Sequence, residues 1–277
     1  MIALHNFIRS CFATNETENR ILFYGKQLAL FGYLQALSCF FPVCIFLALA
    51  LSKQLHTGIA RYDLLLLFCL VVQFIMYKAG LETRDEVYVI TLFHVIGLVL
   101  EIHKVSRGSW SYPEEAITKV AGVPLYAGFM YASVGSFICQ AWRNLELDTL
   151  HWPRDLYAWI GAAAIYLNFF TNNWLPDMRV YITLGLVAIF WRTRFTFKLN
   201  RYTYRMHALL SFLLIGFFIW LAENIATFLG AWRYASQHAG WKMVSIHKIT
   251  SWGLLVIISI ILVGQLKRIK ENRTQNA

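Results

Sequence analysis

Residues 208–230 read ALLSFLLIGFFIWLAENIATFLG. A helix needs about 20 apolar residues to cross the hydrocarbon core of a bilayer, and this run supplies them. Its polar side chains are Ser211, Glu223, Asn224 and Thr227. Working outward, seven further apolar runs cover residues 28–51, 62–80, 87–103, 122–142, 156–174, 178–195 and 249–266. The runs 87–103 and 178–195 are short and carry ionisable residues. Continuous runs exclude a barrel, whose strands alternate polar and apolar at period two. The expected fold is all-α: a polytopic transmembrane bundle of eight spans.

Composition points the same way. Of 277 residues, 58% are hydrophobic and 14% charged, where a soluble domain carries about 25% charged residues. Such a surface would lack the charge to face water. Mean hydropathy is +0.51. The 45 aromatic residues exclude a solvated coil. The net charge of +10 comes from basic residues set between apolar runs, so it reads as bilayer orientation and contact with membrane lipids, not as a nucleic-acid surface. With eight spans, the side holding both termini carries 16 Lys and Arg and the other side 9. That bias predicts cytoplasmic termini in the cell (inner) membrane. Residues 1–27 form a cytoplasmic or interfacial segment, 28–266 the bundle and 267–277 a cytoplasmic tail. No cleavable signal is expected before the first run. None of the five cysteines forms a C-x-x-C pair, and they read as small apolar residues.

Ionisable groups inside spans cost about 2.5–3.5 kcal/mol at the bilayer centre, so they carry the functional information. His94 and Glu101 are seven apart and share one helical stripe. His103 lies nearly opposite Glu101. Asn168 and Asn172 share a face of the fifth run, and Glu223 and Asn224 sit within the seventh. Gly128, Ala132 and Ser136 recur every four residues, a small-residue stripe that permits close helix approach. After the third run the sequence reads Arg107-Gly108-Ser109-Trp110-Ser111-Tyr112-Pro113-Glu114. Gly108 allows a reversal, and Trp110 and Tyr112 prefer the interface, so this loop is expected to fold back over the span ends.

At these residues the chain resembles the YoaT-like family of uncharacterised bacterial integral membrane proteins. Glu101, Lys104, the stretch 108–114, the stretch 122–136 and Phe218-Ile219-Trp220-Leu221-Ala222-Glu223-Asn224-Ile225 carry the resemblance over nearly the whole chain. It implies a multi-span protein and no defined chemistry. A weaker likeness, at Glu101, Gly108, Tyr112 and Val123-Pro124, is to the membrane carotenoid-biosynthesis family that includes carotenoid hydratases. This chain has Gly-Ser-Trp-Ser-Tyr-Pro-Glu in place of that family's turn. The likeness implies an isoprenoid substrate.

Three functions compete. In the first, a membrane-embedded enzyme performs acid/base chemistry on an apolar lipid. Glu101 or Glu223 is then the proton donor and His94 a relay, while Asn168, Asn172, Asn224, His103, Trp110 and Tyr112 line a polar cavity. In the second, the same groups line a proton-coupled small-molecule transporter. In the third, the protein is a structural or assembly factor. No zinc-protease pattern, phosphate loop or nucleophile elbow is present, and no cofactor or metal is expected.

Overall fold

The structure is a computed structural model that describes residues 9–12, 19–55, 58–172 and 174–275. It is mostly helical. Helices α1 (Arg20–Ser38) and α2 (Phe40–Ser52) share the first apolar run. They are followed by α3 (Arg61–Lys78), α4 (Arg84–Ser106), α5 (Ala127–Asn144), α6 (Asp155–Thr171), α7 (Arg179–Phe190), α8 (Ala208–Phe228) and α9 (Lys248–Gln275). Among the described residues three helices, α4, α8 and α9, are long and apolar enough to cross a membrane. The α1–α2 pair makes a fourth if its two halves form one span.

That pair bends by 63°. Pro42 lies in the first turn of α2, has no N–H to offer the Ser38 carbonyl, and its ring would clash with that carbonyl in a continuous helix. The chain therefore breaks at Cys39. Ser38 Oγ donates to the Leu34 carbonyl at 2.8 Å and accepts from Asn144 Nδ2 at 3.0 Å, which ties the bend to α5.

Helices α4 and α5 pack most closely, and glycines set their separation. A Cβ on Gly128 would lie 2.6 Å from His94 Nδ1, one on Gly97 2.5 Å from the Tyr131 ring, and one on Gly135 2.8 Å from Phe93. Helix α4 starts in a capping box: the Glu86 amide donates to Thr83 Oγ1 and the Thr83 amide to Glu86 Oε2, at 3.4 and 2.9 Å.

The fold departs from an all-α bundle in three small antiparallel sheets: β1 (Trp110–Ser111) with β7 (Arg233–Tyr234), β2 (Lys119–Val120) with β3 (Val123–Pro124), and one of three strands. Strands β4 (Asp148–Leu150), β5 (Arg194–Leu199) and β6 (Tyr202–His207) form an antiparallel sheet in that order. Phe195, Phe197 and Leu199 point inward while Arg194 and Lys198 are exposed. This is the period-two alternation of a half-buried strand. The basic stretch after the sixth apolar run is thus a hairpin.

Apolar side chains are also exposed in rows on the helices. Leu67, Leu70 and Phe74 on α3, and Leu213, Phe218, Leu221 and Ile225 on α8, face outward. Contact with lipid accounts for such surfaces; contact with water does not.

Candidate functional site

The loop after α4 does turn back. Gly108 has φ +67°, and β1 (Trp110–Ser111) pairs antiparallel with β7 (Arg233–Tyr234), with Trp110 opposite Tyr234. Asp63 on α3 holds the far side of the loop. It accepts from the amides of Ile117 and Thr118 at 2.9 Å each, and from the Thr118 hydroxyl at 2.5 Å. Tyr112 is 6% exposed. Burial pushes its hydroxyl well above the usual tyrosine range, and the neighbouring Glu101 adds to this.

The loop delivers its aromatic groups onto Glu101. Glu101 Oε2 accepts from Trp110 Nε1 at 2.6 Å and from the Tyr112 hydroxyl at 2.8 Å. Oε1 accepts from the Tyr131 hydroxyl of α5 at 2.8 Å. Three neutral donors satisfy one buried carboxyl group.

Glu223, on α8, is built in the same way. Oε1 accepts from the Tyr234 hydroxyl at 2.5 Å, and Oε2 from Trp252 Nε1 of α9 at 2.8 Å. The two clusters meet at Trp110 and Tyr234, whose ring centroids are 5.8 Å apart. Lys248 places its ammonium 5.3 Å from the Trp110 ring centroid and 4.8 Å from that of Tyr234, and it interacts electrostatically with both carboxylates. Two acids, one cation and a bridge of aromatic donors form one continuous network.

The other polar residues singled out in the sequence lie outside this network. His94 faces α5, as the seven-residue spacing from Glu101 requires, but packs on Phe129 at 4.4 Å between centroids. Its Nδ1 is buried without a hydrogen bond among the described residues. His103 lies against Phe170 and Trp174, at 4.9 and 6.1 Å. Asn168 accepts from the Met178 amide at 2.8 Å and donates to Asp177, closing the turn between α6 and α7. Asn172 accepts from Lys104 Nζ at 2.9 Å. Asn224 donates to the Trp220 carbonyl and accepts from the Val244 amide, both at 2.8 Å. These asparagines fasten turns and neighbouring segments.

Sequence reasoning missed Tyr131, Tyr234, Trp252 and Lys248 as members of the site. It also missed a second buried acidic cluster at the other end of α4. Glu86 pairs with Arg143 at 2.9 Å and with Lys267 at 3.2 Å. Glu82 accepts from Ser136 Oγ at 2.5 Å and from Gln73. The Thr83-x-x-Glu86 capping pattern was the available signal.

An apolar cavity of about 530 Å³ adjoins Glu223. Phe31, Phe46, Met130, Phe137, Ile215 and Ile219 contribute to its walls, and Tyr131 and Trp252 reach it from the carboxylate network. Glu223 is the one charged side chain among its described lining residues. No group of three His, Cys, Asp or Glu able to hold a metal occurs among the described residues.

Residues 27–260 match the family described as "Protein of unknown function (DUF817)". The chain belongs to that family. The uncharacterised protein YoaT of Bacillus subtilis (strain 168) is 52% identical over 253 residues, which cover 91% of this chain and 96% of YoaT. Two solved structures of the mycobacterial Insig homologue MvINS, from Mycobacterium vanbaalenii, superpose with TM-scores of 0.46 at 15% and 14% identity. The superposition covers 65% of this chain and 93% of theirs, and one of the two is a cross-linked trimer.

Proposed function

We propose that this is an integral protein of the cell membrane that draws an apolar lipid chain into the cavity beside Glu223 and performs acid/base chemistry on it there. The observation that carries the reading is the pairing of a lipid-sized apolar cavity with a single acid at its wall. Proton transfer to or from an apolar substrate requires a titratable group in reach of it, shielded from bulk water. Glu223 meets both conditions. Glu101 has three donors on its two oxygens, so its part is to anchor the loop and balance Lys248. Lipids of the isoprenoid type suit the reaction: the Glu223 carboxyl adds its proton to one carbon of a double bond, and the neighbouring C–H of the resulting cation returns a proton to the carboxylate, which moves the double bond and needs no other reactant.

The eight-span topology with cytoplasmic termini belongs to the same proposal. It rests on the helices found along all eight apolar runs and on the basic bias of the side that holds the termini. Cysteines introduced at Ser109 and at Arg205 are expected to label from opposite faces, and labelling of both from one face overturns the topology.

The function is tested by untargeted lipid profiling of cells that carry the wild-type protein, the Glu223→Gln variant or no protein. Gln keeps the shape and hydrogen bonding of Glu but removes the titratable proton. The expected result is a lipid species that shifts between wild type and deletion, with folded Glu223→Gln matching the deletion. A folded variant that matches wild type removes Glu223 from the chemistry.

A further inference from the structure

A second pocket, of about 490 Å³, lies where α2 and α8 end and α3 begins. It shares no lining residue with the cavity beside Glu223. Lys53, Arg61, Arg233 and His238 line it together with Glu114 and the exposed ring of Trp241.

The cations differ in what they have left to give. Arg61 is committed. Its Nε donates to Ser52 Oγ, Nη1 to Glu114 and to the Gly230 carbonyl, and Nη2 to the carbonyls of Leu49 and Leu229. That uses all five guanidinium N–H groups, neutralises Glu114 and ties off the C-terminal ends of α2 and α8. Among the described residues Lys53 donates once, to the Phe228 carbonyl at 3.0 Å, which leaves two ammonium protons. Among the described residues no hydrogen bond or ion pair engages the Arg233 side chain, which is exposed. The pocket therefore holds two cations with unused donors and one acid that is already neutralised. Trp241 and Phe228, edge-to-face at 5.5 Å, flank it with amphipathic and apolar surface of the kind found at the headgroup level of a bilayer.

We propose that this pocket binds a phosphate group, with Arg233 as the bidentate donor and Lys53 as the second charge. A guanidinium fork matches two phosphate oxygens, and an ammonium adds a point charge beside it. Two sources share this chemistry: free phosphate and the headgroup of a phospholipid.

The test is calorimetric titration of the full-length protein in a neutral maltoside detergent at constant ionic strength. One arm adds inorganic phosphate; the other adds monomeric dihexanoyl phosphatidylglycerol. At least one is expected to bind saturably, with affinity falling roughly tenfold or more in Arg233→Gln, as loss of a charge-assisted hydrogen bond requires. Lys53→Gln is expected to weaken binding too, and provides the reading if Arg233→Gln does not fold. Arg205→Gln, on the hairpin, makes the same charge change and is expected to bind as wild type. Binding of phosphate itself assigns a soluble ligand, and binding of the lipid alone assigns a headgroup. No saturable binding in either arm, unchanged affinity in folded Arg233→Gln, or an equal loss in Arg205→Gln overturns the proposal.

Discussion

Trp110 and Tyr234 meet edge-to-face at 5.8 Å across a two-residue sheet, and each donates a hydrogen bond to a different buried carboxylate. The contact joins the loop after α4 to the loop after α8, so Glu101 and Glu223 belong to one network although they sit on different helices.

Removing either donor is expected to be felt at the other. Trp110→Phe leaves a ring but takes the N–H from Glu101, and Tyr234→Phe takes the O–H from Glu223. Each is expected to cost about 1–3 kcal/mol, since a buried carboxylate is left under-satisfied. The double variant is expected to be non-additive by at least about 0.5 kcal/mol, the size of coupling seen between contacting residues. Thermal unfolding in detergent gives the three values. Strict additivity would mean that the two clusters are independent.

The separation of α4 and α5 depends on Gly128. A Cβ there lies 2.6 Å from His94 Nδ1 and 2.7 Å from the His94 backbone oxygen. The backbone atom has nowhere to go, so Gly128→Ala is expected to destabilise by about 1–3 kcal/mol, as overpacking does. Gly32, in α1, has no atom within 4 Å of its built Cβ. Gly32→Ala is expected to be neutral or to stabilise by up to about 1 kcal/mol from helix propensity. Unfolding midpoints of the two variants, measured side by side, check the contrast.

Glu86 is 1% exposed and accepts from both Arg143 and Lys267. Glu86→Ala removes the carboxylate shared by both cations and the cap on the Thr83 amide, but Arg143 is 36% exposed and keeps the Leu81 carbonyl, so the expected cost is about 1–3 kcal/mol, below the range for a fully buried pair. Lys267→Ala leaves Arg143 on the carboxylate and is expected to cost clearly less. Equal losses would show that Lys267, and with it the end of α9, is the main partner.

Alkaline pH offers a separate probe of the loop. The Tyr112 hydroxyl is held well above its ordinary value of 10.0 by burial and by Glu101. A raised pKa means that the folded state prefers the proton. The stabilisation is therefore complete below pH 10 and is lost as pH rises towards the folded-state value. The wild-type protein is expected to lose stability steeply above pH 10, and Tyr112→Phe to lose it less steeply. Identical slopes in a pH series of unfolding midpoints would place Tyr112 outside the network.

Much of this arrangement was legible in the chain. Helices lie along all eight apolar runs, and the reversal at Gly108 was readable from the glycine and the interfacial rings that follow. The partners of the carboxylates were not. Tyr234 and Trp252 reach Glu223 through tertiary packing, and the β1–β7 pair is two residues long, too short to leave a periodic signal. Lys248 counted only as one more basic residue near a span end. The hairpin is legible in the alternation of Phe195, Phe197 and Leu199 with Arg194 and Lys198, although the same basic residues also suit a span end. Pro42 likewise marked the break between α1 and α2. The asparagines misled because a polar residue in an apolar run serves a turn as readily as a cavity: Asn168 closes the α6–α7 turn.

The central claim is that the cavity beside Glu223 holds an apolar lipid. Native mass spectrometry of the purified protein, released from detergent, tests it most directly when wild type is compared with Ala222→Trp, which fills the cavity from a lining position. The account predicts a lipid-mass adduct on wild type and its loss from folded Ala222→Trp. Wild type without an adduct, or the same adduct at the same occupancy on both proteins, would contradict it.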